Sequence, residues 1–150
     1  MISVKIYAER GARLPEKATP SSACYDVSAF LPFDQEIILE PGDWFAVPTG
    51  LYFEIPPGYF ISVRPRSGLA YKHGITLLNT PGTIDSDYRG EFKVILINLG
   101  KETFVVRHNE RIAQILLEKE HPIIWEEVER KDLLNSTIRN EGGFGSTGLT

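Results

Sequence analysis

The chain has 150 residues and a net charge of −4 at neutral pH, with 13 glycines and 10 prolines spread along its length. This length predicts one domain, and the dispersed turn-forming residues favour many short elements over a few long helices. Acidic and basic residues are interspersed, which argues against nucleic acid or a membrane surface as the main partner. A single cysteine excludes an internal disulfide, and no apolar run approaches the ~18 residues of a membrane span, so we expect a soluble, cytoplasmic protein.

Short apolar or alternating runs follow one another along the chain and are separated by turn residues. The turns recur at intervals near the roughly 8 to 12 residues that are typical of a sandwich or barrel. The runs that predict strands are 2–7, 36–39, 44–47, 51–55, 59–64, 75–79, 92–99, 104–106, 111–117 and 123–128. Only 68–73 and 130–134 resemble helical turns, so the sequence predicts an all-β domain over residues 1–134 and a tail over 135–150.

The predicted strand 92–99 is apolar on both of its alternating faces. Val94 and Leu96 lie on one face, and Ile95 and Ile97 lie on the other. Such a strand indicates either the centre of a sandwich or a subunit interface.

The densest polar cluster runs from Gly82 to Gly90, between two apolar runs. It is longer than a chain reversal needs, so it suits a hairpin that presents backbone donors and acceptors to a ligand, although a solvated acidic turn would have a similar composition. Asp85 and Asp87 lack the glycine that follows the catalytic pair of aspartic proteases, which disfavours such a dyad.

Three further positions carry polar groups in suggestive places. Ser67 follows Arg66 at the start of a predicted helical turn, where free amides could bind phosphate or where the serine could simply cap the helix. Gln114 lies in an apolar strand and needs a hydrogen-bond partner if it is buried. Asp26 lies among small residues and indicates little by itself.

The histidines and the cysteine do not predict a metal site. His73, His108 and His121 are far apart in the sequence, and Cys24 has no companion cysteine. Zinc and a nucleophilic cysteine are therefore disfavoured.

The C-terminal tail holds four glycines around Phe144, with Arg139 before them and hydroxyl side chains after. A cation and backbone amides suit a phosphate, and an aromatic ring suits a flat base, whereas the alternative is a solvated tail. No lysine or helix follows the glycines, so this is not a Walker loop.

Taken together, these blocks resemble the sequence motifs of the trimeric dUTPases, the deoxyuridine triphosphate nucleotidohydrolases. The matching blocks, in the family's order and spacing, are 23–29, 65–70, 82–98, 111–116 and 139–148. The resemblance implies a jelly-roll fold, a homotrimer with shared active sites, and a C-terminal arm that closes a site. It also implies hydrolysis of dUTP to dUMP and pyrophosphate, which keeps uracil out of DNA and supplies dUMP for dTMP synthesis.

The resemblance also implies roles for individual residues. Asp85 is similar to the base that activates a water for in-line attack on the α-phosphorus. Asp26 is similar to a residue that contacts Mg²⁺ through water or pairs with a neighbouring arginine. Tyr88 resembles the ring that packs on the deoxyribose, and Phe144 the ring that stacks on uracil. The other implied uracil or sugar contacts are Asn79, Gly82, Thr83, Ile84 and Lys93. The implied phosphate and arm contacts are Arg66, Ser67, Gly68, Gln114, Arg139, Gly145, Ser146 and Thr147.

Two positions depart from the family pattern, and two other functions remain open. Cys24 stands where the family usually has glycine, and a positive φ at residue 24 would strain a cysteine. Asn140 stands where the family usually has glycine or an acidic residue. A dCTP deaminase of the same fold is the alternative enzyme, and a catalytically idle nucleotide-binding trimer is the alternative from another class.

Overall fold

The computed structural model describes residues 2–143 and 146, and it confirms an all-β fold with one short helix. The strands are β1 (Lys5–Ala8), β2 (Tyr25–Ser28), β3 (Ile37–Leu39), β4 (Trp44–Glu54), β5 (Tyr59–Arg64), β6 (Ile75–Leu77), β7 (Gly82–Ile84), β8 (Phe92–Asn98), β9 (Phe104–Val106) and β10 (Arg111–Lys119). The helix α1 spans Ser67–His73, and a 3₁₀ turn spans Lys131–Leu133.

The strands form two four-stranded antiparallel sheets and one strand pair. The first sheet has the order β1-β4-β8-β6, the second has the order β2-β10-β5-β7, and β3 pairs with β9. Strand β7 is therefore an edge strand, held on one side by β5 through the pairs Ile61 with Ile84 and Val63 with Gly82. This order places β7 and the start of β8 at the two ends of one loop, residues 85–91.

The core lies between the two sheets and is built from alternate residues of their strands. Val94 and Leu96 of β8 face residues such as Val63 of β5 and Ala113 of β10, and all are buried. Fully burying one such side chain stabilises the fold by about 1.5 to 3 kcal/mol. On the opposite face of β8, Ile95 is only partly buried. Strand β8 is therefore a sandwich strand whose inner apolar face is buried in the core and whose outer apolar face is only half covered within one chain.

The structure differs from the sequence-based expectation at several elements. Strand β4 is continuous through Pro48, which pairs with Lys93, and a register shift between Pro48 and Leu51 joins the two predicted strands. The short strands β2 and β7 were not predicted, because their sequences read as polar motifs. The predicted strand 123–128 is wrong, since this segment pairs with no other strand among the described residues.

The segment after β10 is unusually apolar for its exposure. Ile124, Trp125 and Ile138 are almost completely exposed, at 95%, 86% and 109% of the reference area. The described residues thus provide no core for these side chains. The predicted boundary between residues 134 and 135 falls within this segment. Among the residues that the structure describes, no helix has the length and apolar character needed to span a membrane.

Candidate active site

The polar cluster forms a hairpin loop that lines a cavity of about 290 Å³. Strand β7 and the start of β8 supply most of its wall, and the loop after β6 closes one side. The sequence-predicted residues that line it are Asn79, Gly82, Thr83, Ile84, Asp85, Tyr88 and Lys93. The structure therefore brings together seven residues that are dispersed over 79–93.

The floor of this cavity is backbone of the edge strand β7. Gly82 packs so closely on its neighbours that a Cβ there would lie 3.2 Å from the Val63 Cβ and 3.4 Å from the Asn79 Nδ2. Because β5 pairs with only one side of β7, the other side has no strand partner among the described elements. Backbone donors and acceptors on that side are available to a planar polar ligand.

Tyr88 is held over the loop by its own hydroxyl. The hydroxyl donates a hydrogen bond of 3.0 Å to the Glu91 carbonyl, and the ring passes directly over Gly90. The Arg89 guanidinium donates to the carbonyls of Ser86, at 2.7 Å, and Tyr88, at 3.0 Å. The Asp85 carbonyl accepts the Tyr88 N–H at 3.2 Å. The Asp85 side chain is exposed at the rim of the cavity.

Sequence reasoning missed Glu91, whose carboxylate also lines the cavity. One carboxylate oxygen accepts the Gly50 N–H at 3.0 Å, and the other lies 3.6 Å from the Lys93 ammonium. Burial raises the pKa of the Tyr52 hydroxyl, and the nearby carboxylates of Glu91 and Glu9 raise it further. The only signal in the sequence was an acid at the border between a polar cluster and an apolar strand.

A second polar cluster joins β2, β10 and the residues before α1. The Asp26 carboxylate accepts from the Arg66 Nε at 3.1 Å and from an Arg111 Nη at 3.0 Å. The Arg66 guanidinium also donates to the Arg111 carbonyl at 3.0 Å. The Asp26 side chain is only 13% exposed, so two arginines compensate one nearly buried carboxylate and are oriented by it.

The region around the Asp26 cluster also shows the surroundings of Gln114 and Ser67. The Gln114 amide donates to the Pro65 carbonyl at 2.9 Å, which supplies the partner expected for a glutamine in an apolar strand. Arg66 occupies the N-cap position of α1 and no side chain caps the helix, so Ser67 does not act as a cap. Ser67 and Gly68 lie exposed at the start of the helix.

The two clusters occupy different surfaces of the chain. Arg66, Ser67, Gly68 and Gln114 are absent from the lining of the hairpin cavity. Arg66 and Arg111 instead line a groove of about 670 Å³ beside β9. Arg66, Ser67, Gly68 and Gln114, which are predicted to contact phosphate, thus lie apart from the predicted residues that line the hairpin cavity.

The described arm residues Arg139 and Ser146 form hydrogen bonds within the arm itself. The Arg139 Nε donates to the Gly142 carbonyl at 2.7 Å within a turn, and the Ser146 N–H donates to the Gly143 carbonyl at 3.0 Å. The predictions for Phe144, Gly145 and Thr147 lie outside the described residues.

The residues that depart from the family pattern show no strain of the expected kind. The non-glycine residues with positive φ in the described part of the chain are Asp34, Asn109 and Asn140, so Cys24 is free of the strain considered above. Asn140 has φ 41°, which suits an asparagine.

No group of three or more acidic, histidine or cysteine side chains within 2–143 and 146 forms a cage for a metal ion. Both oxygens of Asp26 accept hydrogen bonds from arginine, and each retains a further lone pair. This donor set fits contact with a hydrated ion through water, and it does not supply inner-sphere ligands.

Comparison with known proteins gives a consistent family. The family model described as dUTPase matches residues 10–148. A deoxyuridine 5'-triphosphate nucleotidohydrolase of Fusobacterium nucleatum subsp. nucleatum is 52% identical over 98% of this chain and 97% of its own. One of Brucella melitensis biotype 2 is 50% identical over 97% of this chain and 90% of its own.

The same fold occurs in solved structures. A mutant dUTPase of Staphylococcus bacteriophage 80alpha, solved with dUpNHpp, has a TM-score of 0.80 at 22% identity and covers 98% of this chain and 99% of its own. A dUTPase from phage phi11 of S. aureus has a TM-score of 0.74 at 19% identity, covering 85% of this chain and 97% of its own. These structures confirm the jelly-roll fold, and with the family model and the relatives they show that the chain belongs to the dUTPase family of hydrolases.

Proposed function

We propose that this protein hydrolyses dUTP to dUMP and pyrophosphate. The observation that carries the proposal is the hairpin cavity, which gathers Asn79, Asp85 and Tyr88 beside an unpaired strand edge. A small cavity with a few convergent polar groups is what a nucleoside site requires. Membership of the dUTPase family supports dUTP as the ligand. In the cell this reaction would keep uracil out of DNA and supply dUMP for dTMP synthesis.

Uracil is selected by the backbone of β7 together with the Asn79 amide. Cytosine carries a donor where uracil carries its C4 carbonyl, and its N3 accepts where uracil N3 donates. Fixed backbone groups that match uracil are left unpaired by cytosine, at about 1 to 3 kcal/mol for each buried group. The close packing of Gly82 on Val63 keeps these backbone groups from shifting to suit the wrong base. Tyr88 packs on the deoxyribose and excludes a 2'-hydroxyl, and Lys93 contacts the base or sugar.

The Asp85 carboxylate acts as general base. It orients a water and takes its proton as the water attacks the α-phosphorus in line with the departing pyrophosphate. Its exposed position at the rim, beside Tyr88, leaves room for a water between the carboxylate and the ligand. Catalysis by this group is mainly positioning, so the rigidity of the hairpin is part of the chemistry.

The phosphates are bound by Arg66, Ser67, Gly68 and Gln114. Asp26 fixes the guanidinium of Arg66 through the 3.1 Å bond, so the arginine meets phosphate without first losing side-chain freedom. This local cluster offsets the repulsion between an anionic ligand and a chain of net charge −4.

Mg²⁺ fits this site as the partner of the triphosphate. Asp26 would contact it through a water molecule, as the spare lone pairs of its carboxylate allow. When bound, the ion neutralises charge that develops on the phosphate oxygens. A structure of a mutant phage phi11 dUTPase is described as showing the coordination of a structural Mg(II) ion.

The active protein is a homotrimer with shared sites. In one chain Arg66, Ser67, Gly68 and Gln114 lie outside the hairpin cavity, so a second copy is needed to bring both clusters to one nucleotide. The exposed Ile124 and Trp125 and the half-covered outer face of β8 are apolar surfaces that other copies can bury.

Residues 1–134 form the β domain in this proposal, and residues 135–150 form an arm that closes a site. In the closed arm Phe144 stacks on uracil, and Arg139, Gly145, Ser146 and Thr147 contact the phosphates. The exposed apolar Ile138, at the root of the arm, supports docking on another copy.

The proposal is tested by incubating the protein with dUTP, dCTP, dTTP and UTP and measuring pyrophosphate and ammonia. We expect pyrophosphate from dUTP, little from the other nucleotides, and no ammonia. Ammonia from dCTP would instead indicate the deaminase of the same fold. Binding of dUTP without either product would indicate an idle nucleotide-binding protein.

A further inference from the structure

The loop 85–91 ends at an interruption of the first sheet. The ladder between β4 and β8 shifts register between Pro48 and Leu51, so the backbone N–H of Gly50 has no strand partner there. The Glu91 carboxylate accepts that N–H at 3.0 Å. A side chain at the end of the hairpin therefore replaces a missing bond of the ladder.

The interruption is itself a rigid support. The Gly50 carbonyl accepts the Glu9 N–H at 2.8 Å, and Gly50 has φ 65°. A Cβ on Gly50 would lie 2.7 Å from the Phe30 ring, so the backbone here is closely packed. Glu91 is thus attached to a fixed point of the fold and not to a mobile loop.

The same residue holds Tyr88 through its main chain. The Tyr88 hydroxyl donates to the Glu91 carbonyl at 3.0 Å, so the position of residue 91 sets the position of the ring. The Glu91 side chain is 23% exposed and lines the cavity, with the Lys93 ammonium 3.6 Å away.

We propose that Glu91 is a positioning residue for sugar selection, which fixes the Tyr88 ring over the cavity by anchoring the hairpin to the Gly50 amide. This inference rests on the proposed function, because it assigns to Tyr88 the contact with the deoxyribose. Glu91 does not touch the reacting atoms and acts through Tyr88. The Gly50 hydrogen bond, and not the salt bridge to Lys93, sets the position of the ring.

The experiment compares Glu91→Ala and Glu91→Gln with the unchanged protein, using dUTP and UTP. Glutamine keeps a carbonyl oxygen that can accept the Gly50 N–H but loses the charge that pairs with Lys93. Alanine loses both. Glu54→Ala is the matched control, because Glu54 pairs with Lys5 at 2.9 Å on the same sheet and lies outside the cavity.

For Glu91→Ala we expect KM for dUTP to rise, kcat to change less, and the preference for dUTP over UTP to fall about tenfold or more, the effect of losing a charge-assisted hydrogen bond. If only the ion pair between Glu91 and Lys93 mattered, Glu91→Ala would weaken the binding of dUTP and UTP alike and leave the preference for dUTP unchanged. Glu91→Gln and Glu54→Ala should keep the ratio of the unchanged protein. Hydrogen exchange at the Gly50 amide should accelerate in Glu91→Ala alone.

An unchanged ratio in a folded Glu91→Ala protein overturns the inference, as does a Glu91→Gln protein that behaves like Glu91→Ala. If melting temperatures show that Glu91→Ala has failed to fold, Glu91→Asp replaces it, because its shorter side chain keeps the charge and loses the reach to the Gly50 N–H. The preference for dUTP over UTP should then fall in Glu91→Asp, and an unchanged ratio overturns the inference. Failure of the unchanged protein to hydrolyse dUTP would overturn the proposed function, whereas a selective unchanged protein with an equally selective Glu91→Ala would overturn only the role of Glu91.

Discussion

Gly90→Ala should separate the function of the hairpin from its stability. The new Cβ would collide with the Tyr88 hydroxyl, the atom that donates to the Glu91 carbonyl at 3.0 Å. The clash involves the far end of a side chain that is 47% exposed, so the ring can move aside into solvent. Gly90 has no positive φ, so alanine can adopt its backbone conformation.

The expected change in stability is small because two effects oppose each other. Losing the Tyr88 hydrogen bond destabilises the fold by about 0.5 to 1.5 kcal/mol. Replacing glycine by alanine at a compatible position stabilises it by about 0.4 to 1 kcal/mol through the unfolded chain. The free energy of unfolding should thus stay within about 1 kcal/mol, while displacement of the ring lowers kcat/KM for dUTP by about 10- to 100-fold.

Urea unfolding and steady-state kinetics with dUTP and UTP test both parts. Gly58→Ala is the control with the opposite expectation, because Gly58 has φ 81°, open space around its Cα, and no place in the cavity lining. It should lose about 1 to 2 kcal/mol of stability and keep normal kinetics. A Gly90→Ala protein with unchanged kcat/KM and unchanged sugar preference would refute the role given to the Tyr88 position.

Four other outcomes follow from the same structure. Asp85→Asn should retain binding of dUTP, measured by calorimetry, and lose turnover by orders of magnitude, because an amide cannot accept the proton; preserved turnover would place the base elsewhere. Asp26→Ala should weaken inhibition by pyrophosphate about tenfold or more, since the Arg66 guanidinium loses its 3.1 Å support, and inhibition of normal strength would count against that support. Deleting the residues after Ser136 should reduce turnover severely and leave the trimer intact by light scattering, whereas dissociation would show that the arm is structural. The fold raises the pKa of Tyr52 above its ordinary 10.0, so the free energy of unfolding should fall as pH rises from about 10 through the folded pKa. This fall should be smaller in Tyr52→Phe and in Glu91→Gln than in the unchanged protein. Equal slopes of unfolding free energy against alkaline pH in all three proteins would contradict the placement of the Glu91 charge.

The sequence was sufficient for the fold class and for the grouping of the cavity residues. Strands such as β5 and β8 carry strong apolar alternation, and Gly82 to Gly90 is a continuous motif whose members stay together in any hairpin. Local patterns of this kind need no knowledge of distant contacts.

The remaining features depend on contacts that are distant in sequence. The bond between Glu91 and the Gly50 amide spans 41 residues, and the clamp of Asp26 on Arg111 spans 85. No periodicity signals such pairs. The predicted strand 123–128 is wrong for a related reason: apolar alternation indicates a surface that needs a partner, and no strand among the described residues pairs with this segment.

The separation of the two clusters has a physical rationale in the role that the proposed function gives to each. Discrimination between bases requires backbone groups that cannot shift, and β7 meets this need because β5 fixes one of its sides while the other stays open. Binding of phosphate requires accessible cations, and Asp26 on the edge strand β2 holds Arg66 and Arg111 in place through its nearly buried carboxylate. Because the two clusters line different cavities of one chain, a nucleotide that contacts both must lie between copies, and this requirement supports the proposed trimer together with the exposed apolar surface.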